Sequence, residues 1–197
     1  MRPIFQKIHT PDETTFCAFR FKDDVFDAPW HYHPEYELTL IVDGSGTRYV
    51  GNDVHAFSAG ALVLLGSDLP HCWRTGTLTG AESIVIQWRK EALPQIAEFE
   101  EIHRLLELSQ RGIRYEVDLS NHFHELVESK EPVLQYSYFI SLLHRLTQIK
   151  TYEILAGDSY QVDISVKTSD RLSSIHQYIS EHIHQQITLS DKSQLLS

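Results

Sequence analysis

The sequence predicts a protein of the β plus α class, in which an antiparallel barrel or sandwich precedes a helical segment. Before Arg89, short runs rich in Val, Leu, Tyr, Phe and Thr are separated by Gly, Pro, Asp and Asn, a pattern typical of short strands joined by turns. After Arg89, apolar residues recur every three or four positions, which is typical of amphipathic helices. The length of 197 residues allows one large domain, or one domain with a helical appendage.

Seven apolar runs predict the strands of the first half, which is expected to span residues 1–90. They are TTFCAFRF, YELTLIV, TRYVG, VHAF, ALVLLG, HCWR and ESIVIQW. The segment VDGSGTRYV predicts a hairpin, because Asp43-Gly44 supplies the positive φ that a tight turn requires.

Three amphipathic segments predict helices in residues 91–157. They are EFEEIHRLLELSQRG, DLSNHFHELVES and EPVLQYSYFISLLHRLTQIKTY. Gly112 is expected to end the first helix, and Pro132 suits the first turn of the third. The third helix carries one apolar stripe, which packs either inside the chain or against a second copy; its members are Phe139, Leu142, Leu146 and Ile149.

Residues 158–197 differ in character from the helical segment before them. AGDSYQVDISVKTS is small and polar, as expected of a linker. SDRLSSIHQYISEHIHQQITLSD then predicts a new helix, with Ser169 or Asp170 as its cap.

The amino-acid composition disfavours direct nucleic-acid binding, a disulfide-rich secreted protein and a membrane protein. The chain is 42% hydrophobic and 22% charged, with a net charge of -10, so it is expected to be globular and a poor binder of nucleic-acid phosphates on its own. Only two cysteines occur, which excludes a disulfide framework and fits a reducing compartment. The sequence shows neither a signal peptide nor a membrane-spanning run, so a cytoplasmic location without membrane attachment is expected.

The segment APWHYHPEYELTLIVDGSG contains a candidate metal site. His31, His33 and Glu37 have the same parity and would share one face of an extended strand. Two imidazoles and a carboxylate suit a divalent transition metal, namely Zn, Ni, Fe or Mn, without selecting among them. Glu35 has that parity too, but Pro34 is expected to kink the run there. His71 in LPHCW can supply a fourth ligand from a neighbouring strand; the alternative is a polar barrel mouth without metal.

Three residues are candidates for an effector pocket. Trp73 shares the parity of His71 and is the strongest of them. For Tyr36, packing in the core or at the rim of the barrel is the favoured interpretation. Arg48 would contact an anionic effector, although an exposed arginine on a strand is the favoured interpretation.

HYHPEYELTLIVDG resembles the first motif of the cupin family, with His31, His33, Glu37 and Gly44 at the motif positions. SAGALVLLGSDLPHCW resembles the second cupin motif, whose histidine falls on His71. This resemblance implies a cupin-type double-stranded β-helix, or jelly-roll barrel, with a bound metal. The asparagine that ends the second motif is missing at its usual spacing, which counts more against a catalytic role than against metal binding.

Nearly the whole chain resembles AraC-type bacterial transcription regulators. The cupin part is similar to their sensing domain, QRGIRY and the following helices to their dimerisation region, and RLSSIHQYISEHIHQQITLSD to the first helix of their DNA-binding domain. The resemblance implies a homodimer that binds a small-molecule effector in the barrel. The two helix-turn-helix units of the family do not follow within the 197 residues, so promoter DNA is expected as a partner only through that further domain.

A small metal-dependent cupin enzyme, such as an oxygenase or isomerase, is the alternative interpretation. Three protein ligands and an open position suit catalysis by a metal. The helices and the start of a DNA-binding domain favour the regulator, for which no catalytic residue is expected.

Overall fold

Two β-sheets face each other and form the barrel that the sequence predicts, and helices cover one of them. The computed structural model describes residues 3–8, 14–76, 80–158 and 160. These residues belong to one compact unit that extends to Tyr160. The predicted linker and last helix, residues 158–197, lie outside the described part except for Asp158 and Tyr160.

The strands before the helices follow the predicted runs closely, with two short additions. These strands are β1 Ile4–Phe5, β2 Phe16–Asp23, β3 His31–Tyr32, β4 Tyr36–Asp43, β5 Gly46–Val50, β6 Asp53–Phe57, β7 Leu62–Leu65, β8 His71–Thr75 and β9 Ala81–Trp88. Their order in the five-stranded sheet is β1-β3-β8-β5-β6, and in the six-stranded sheet it is β7-β4-β9-β2, with two later strands beyond β7. The short β1 is parallel to β3, and the other pairings are antiparallel.

The hairpin predicted over VDGSGTRYV is wrong. Gly44 does have a positive φ of 102°, but β4 pairs with β7 and β9, whereas β5 pairs with β6 and β8. The turn therefore carries the chain from one sheet to the other. Gly46 is needed at the crossing, because a Cβ there would lie 2.0 Å from the carbonyl oxygen of Arg74.

Residues 91–157 contain the three predicted α-helices, namely α1 Glu100–Leu108, α2 Ser120–Glu128 and α3 Pro132–Gln148. α1 ends at Leu108, and Gly112, with a φ of 71°, ends the 3-10 turn Ser109–Arg111 that follows it. Pro132 occupies the first turn of α3. The same segment also contains two strands that the sequence analysis missed, β10 Ile113–Tyr115 and β11 Tyr152–Ile154. They extend the six-stranded sheet beyond β7.

The hydrophobic core lies between the six-stranded sheet and the helices. Alternate residues of β4, β7 and β9 point to this side, and α3 covers them with buried side chains. The apolar stripe on α3 packs within the chain, because Phe139, Leu142 and Leu146 are buried in this core. The other face of the sheet points into the barrel, where the candidate site lies.

Candidate metal centre and adjoining cavity

Three histidines meet inside the barrel from the five-stranded sheet. His31 on β3 is the direct partner of His71 on β8, and His33 follows β3 at the bend before β4. The ring centroids of His31 and His71 are 4.3 Å apart, and those of His33 and His71 are 5.1 Å apart. One nitrogen of each histidine lies within 4.8 Å of the others, and all three side chains are buried.

Backbone carbonyl oxygens orient the three imidazole rings in the same way. Each Nδ1 lies within hydrogen-bond distance of a carbonyl oxygen two residues away, at 2.7 Å for His31 to Pro29, 3.1 Å for His33 to Glu35 and 2.8 Å for His71 to Leu69. Because a carbonyl oxygen only accepts, Nδ1 must carry the proton in each case. The Nε2 atoms are then the ones available to bind a cation, as in metal sites where a second partner fixes the tautomer.

Glu37 enters the cluster from the opposite sheet. Its Oε2 lies 3.3 Å from Nε2 of His33 and 3.6 Å from Nε2 of His71. The hydroxyl of Thr39 donates a hydrogen bond of 2.7 Å to Oε1, and the amide of Gln87 donates one of 2.8 Å to Oε2. The carboxylate is therefore fixed by two donors on its own sheet while it faces the histidines.

The charges in the cluster depend strongly on one another. Burial and the neighbouring charge of His71 lower the pKa of His31 to about 4. Burial also disfavours the charged form of His33, but the hydrogen bond and the negative charge of Glu37 outweigh it and raise its pKa. Burial alone would raise the pKa of Glu37; the charge of His71 and the hydrogen bond from His33 hold it well below its usual range.

One atom of the cluster lacks a partner. Within the described residues, Nε2 of His71 is buried and makes no hydrogen bond, although an unsatisfied buried polar atom is costly. A cation between the imidazoles and Glu37 would satisfy it, because imidazole nitrogen and carboxylate oxygen are ordinary ligands of transition metals at 2.0–2.2 Å. The four residues named from the sequence, His31, His33, Glu37 and His71, thus fit a metal ion.

The reason for their convergence differs from the prediction. His31 and Glu37 do not share one continuous strand, since the chain bends at Pro34-Glu35 and passes from the five-stranded to the six-stranded sheet. The side chains meet because the two strands face each other across the barrel. Glu35 does not face the Nε2 atoms: its Oε2 lies 3.7 Å from Nδ1 of His33, and its Oε1 accepts a hydrogen bond of 2.9 Å from Nε of Arg89.

A cavity of about 200 Å³ adjoins the cluster. His31, Glu37 and His71 are among its polar lining residues. Its aromatic and apolar lining residues are Phe19, Phe21, Phe26, Ala28, Trp73 and Val85. A molecule in this cavity would touch the ligand side chains and an apolar surface at the same time.

The three effector-pocket candidates have different positions. Trp73 lines the cavity beside His71, as its parity predicts. The inclusion of Tyr36 is wrong, because Tyr36 precedes Glu37 on β4, faces the helices and stacks on Trp88 at 5.8 Å. Arg48 is neither in this cavity nor exposed: it is buried, with a side-chain nitrogen 2.6 Å from Asp53.

Sequence analysis missed the partners of Glu37. Thr39 shares the parity of Glu37, which is a usable signal for a neighbour on the same face. Gln87 comes from β9, fifty residues away, and no local pattern marks it. Its Oε1 lies 3.7 Å from Sγ of Cys17, a sulfur contact that orients the amide toward Glu37.

Comparison with known proteins agrees with this architecture. A family model described as "Cupin domain" matches residues 19–86, and the two-sheet barrel has the cupin fold. Curated protein sequences give no match. No helix in the described ranges is long and apolar enough to cross a membrane.

Solved structures extend the comparison beyond the barrel. The structure of ToxT from Vibrio cholerae with an unsaturated fatty acid bound is similar over 93% of this chain and 69% of that one, with 12% identity and a TM-score of 0.50. The structure of a cupin 2 conserved barrel domain protein from Salinispora arenicola is similar over 43% of this chain and 73% of that one, with 18% identity and a TM-score of 0.37. At these identities the likeness is one of fold.

Proposed function

We propose that this chain is the effector-sensing and dimerisation region of an AraC-type DNA-binding transcriptional regulator, and that it binds a divalent transition metal, a small molecule, or both in its cupin barrel. The observation that carries the proposal is the buried cluster of His31, His33 and His71 around Glu37, with each imidazole oriented by a backbone carbonyl. A site held this firmly is prepared for a ligand.

The metal part of the proposal assigns a role to each side chain. The three Nε2 atoms and Oε2 of Glu37 hold the ion, while Thr39 and Gln87 hold the carboxylate. A bound ion supplies positive charge, which replaces the proton shared by His33 and Glu37. Zinc, nickel, iron and manganese all accept this ligand set.

The effector part rests on the adjoining cavity. Its aromatic wall and its polar wall with His31 and His71 suit a small molecule that has an apolar body and a group reaching the ion. ToxT, a regulator of the AraC family with a similar fold, has a structure with an unsaturated fatty acid bound. That precedent supports a sensing role for this barrel.

Strands β4 and β9 connect the ligand site in the barrel with the helices, through which ligand binding would alter DNA binding. Glu37 and Gln87 face the site, whereas Leu38 and Ile86, their neighbours on the same strands, pack toward the helices. A ligand that binds more tightly to one position of these strands shifts both the strands and the helices packed on them toward that position. A ligand switch requires such a difference in affinity between two states. Promoter DNA is then contacted by a helix-turn-helix domain, and a homodimer presents two of them.

A fusion experiment tests the proposal. The chain is joined to a heterologous DNA-binding domain that represses a reporter only as a dimer, and reporter output is measured with and without added zinc or nickel. We expect repression that responds to the metal, and loss of the response in His33→Ala. His144→Ala, which changes an exposed histidine on α3, is the matched control and keeps the response.

Two outcomes would count against the regulator. One is a fusion that never represses, although size-exclusion chromatography shows it folded and soluble. The other is repression that ignores both metals while elemental analysis shows the site loaded.

The same cluster also supports a metal-dependent cupin enzyme as a second candidate. The observation in its favour is that the cavity reaches the imidazoles directly, so a bound substrate would have access to the ion. This candidate predicts metal-dependent turnover of a small molecule by the chain alone. A metal-loaded chain that leaves a panel of small carbonyl and enol compounds unchanged, with and without dioxygen, excludes it.

A further inference from the structure

A second cleft lies beside the turn that joins β6 to β7, away from the histidine cluster. It has a volume of about 440 Å³, within the range of small-molecule sites. Its lining includes Phe57, Ser58, Ala59 and Ala61, together with Arg114, Tyr115 and Glu116. Arg48, on β5, also lines it.

Arg48 is the unusual feature of this cleft. It is only 2% exposed, and one of its terminal nitrogens lies 2.6 Å from Asp53. Its Nε is buried and finds no acceptor in the described part of the chain. A guanidinium group only donates, so a partner for Nε must be an acceptor atom, and the cleft that Arg48 lines has room to hold one.

The surrounding charges decide what kind of acceptor fits. Asp53 neutralises Arg48, and Arg114 is already paired with Glu116 at 3.0 Å and with Glu153 at 3.1 Å. Three carboxylates thus surround two arginines, and a further anion would be repelled. A neutral oxygen satisfies Nε without that cost.

We propose that this cleft is a second ligand site, which takes a small neutral compound with a carbonyl oxygen and an apolar body. The carbonyl oxygen accepts the hydrogen bond of the Arg48 Nε, and the body packs against Phe57 and the alanines of the turn. The site is separate from the metal cluster and does not depend on the proposed function.

An aromatic pair separates the two sites. The ring of Phe57, which lines the cleft, meets the ring of Trp73, which lines the histidine cavity, with centroids 5.1 Å apart. Arg48 is also the direct strand partner of Trp73. Occupation of the cleft therefore acts on the wall of the histidine cavity through this pair.

A titration of the full chain followed by NMR tests the proposal. The probes are cyclohexanecarboxamide and its charged analogue cyclohexanecarboxylate, and the signal is the Nε–H resonance of Arg48. We expect saturable binding of the amide with a shift of this resonance, and binding of the carboxylate weaker by about tenfold or more.

Variants show whether the cleft is responsible. Arg48→Lys keeps the charge but removes the Nε donor, and weakens amide binding by about tenfold. Ala59→Trp fills the cleft from an exposed position and abolishes binding, which keeps the test valid if Arg48→Lys does not fold. Arg104→Lys, at an exposed position of α1, leaves amide binding unchanged.

Three results would overturn the proposal. They are no saturable shift with the amide, binding of the carboxylate as tight as that of the amide, and amide binding that survives Ala59→Trp.

Discussion

The two faces of the six-stranded sheet perform different tasks with neighbouring residues. Toward the helices, Leu38, Leu40 and Ile86 are buried in a continuous apolar core. Toward the barrel, Glu37 and Gln87 are also buried, but they form hydrogen bonds around the histidine cluster. Along YELTLIVD the two kinds of residue alternate one by one, because successive strand residues point to opposite faces.

The two faces of the sheet therefore differ in what they contribute: one mainly stabilises the fold, and the other mainly serves ligand binding. Burial of apolar surface is the main stabilising term in folding, and it is concentrated on the helix face. The barrel face instead holds the buried carboxylate of Glu37. Across the barrel, Nε2 of His71 has no hydrogen bond within the described residues. Buried polar groups of this kind are costly unless a ligand compensates. Substitutions on one face are therefore expected to affect unfolding, and those on the other to affect binding.

Removal of a large side chain from the helix face should have the greatest effect. Phe139 is fully buried and stacks on Phe16 at a centroid distance of 4.6 Å. Phe139→Ala should lower the free energy of unfolding by about 3–5 kcal/mol, measured by urea denaturation, while the folded fraction binds metal with unchanged affinity. Leu134→Ala, at an exposed position of the same helix, should lower the free energy of unfolding by less than about 0.5 kcal/mol. Equal losses of stability in the two variants would show that the apolar core is not concentrated on the helix face.

Across the barrel, His31 on β3 should make the stability of the metal-free protein depend on pH. An unfolded histidine binds its proton near pH 6.5, whereas the pKa of His31 in the folded chain is about 4. Between these values the unfolded histidine binds more protons than His31 does in the folded chain, so the contribution of His31 to the free energy of unfolding decreases as the pH falls from 6.5 to 4.

The lowered pKa of His31 corresponds to a change of about 3 kcal/mol in the free energy of unfolding between pH 6.5 and pH 4. His31→Asn removes this contribution. The difference in free energy of unfolding between wild type and variant, measured by denaturation in the presence of a chelator, should therefore change by about 3 kcal/mol over this pH range. A difference that stays constant between pH 4 and pH 6.5 would show that His31 is not held neutral by its surroundings.

Removal of a ligand side chain should weaken metal binding with little effect on folding. In His71→Ala, one of the three imidazole nitrogens is lost, and the dissociation constant for zinc should rise by about a hundredfold or more. Competition with a chromophoric chelator measures it, and His144→Ala is the control. An unchanged affinity in His71→Ala would place the ion elsewhere.

The groups that hold Glu37 should contribute less than the ligands themselves. Gln87→Leu removes the 2.8 Å hydrogen bond to Oε2, and zinc affinity should fall by about tenfold. Ser83→Ala removes a polar group of β9 that also lines the cavity but has no hydrogen bond to Glu37 among those of the described chain, and should have little effect. Equal losses in both variants would mean that Gln87 acts through packing alone.

Sequence alone predicted most of the barrel and the helices, because alternation and helical periodicity are local signals. It missed β10 and β11, since strands of three residues such as IRY and YEI are too short to show alternation. It also mistook the connection from β4 to β5 for a hairpin. The positive φ of Gly44 is a local property, whereas the choice of sheet depends on where β5 finds its partner, and β8 lies more than twenty residues further along the chain.

The candidate site was predictable only in part for the same reason. The parity of His31, His33 and Glu37 identified side chains that the structure brings together, but their approach across the barrel could be seen only in the structure. Gln87 was missed because its role depends on the register of β9 against β4. Arg48 was misjudged because an arginine on a strand gives no sign of burial until its partner Asp53 is placed beside it.

X-ray absorption spectroscopy at the zinc edge of the zinc-loaded chain tests whether the three imidazoles and Glu37 hold the ion. We expect nitrogen and oxygen ligands at about 2.0–2.1 Å, with the outer-shell scattering of three imidazole rings, and the loss of one ring in His71→Ala. A sulfur shell at about 2.3 Å, or a spectrum without imidazole scattering, would contradict it.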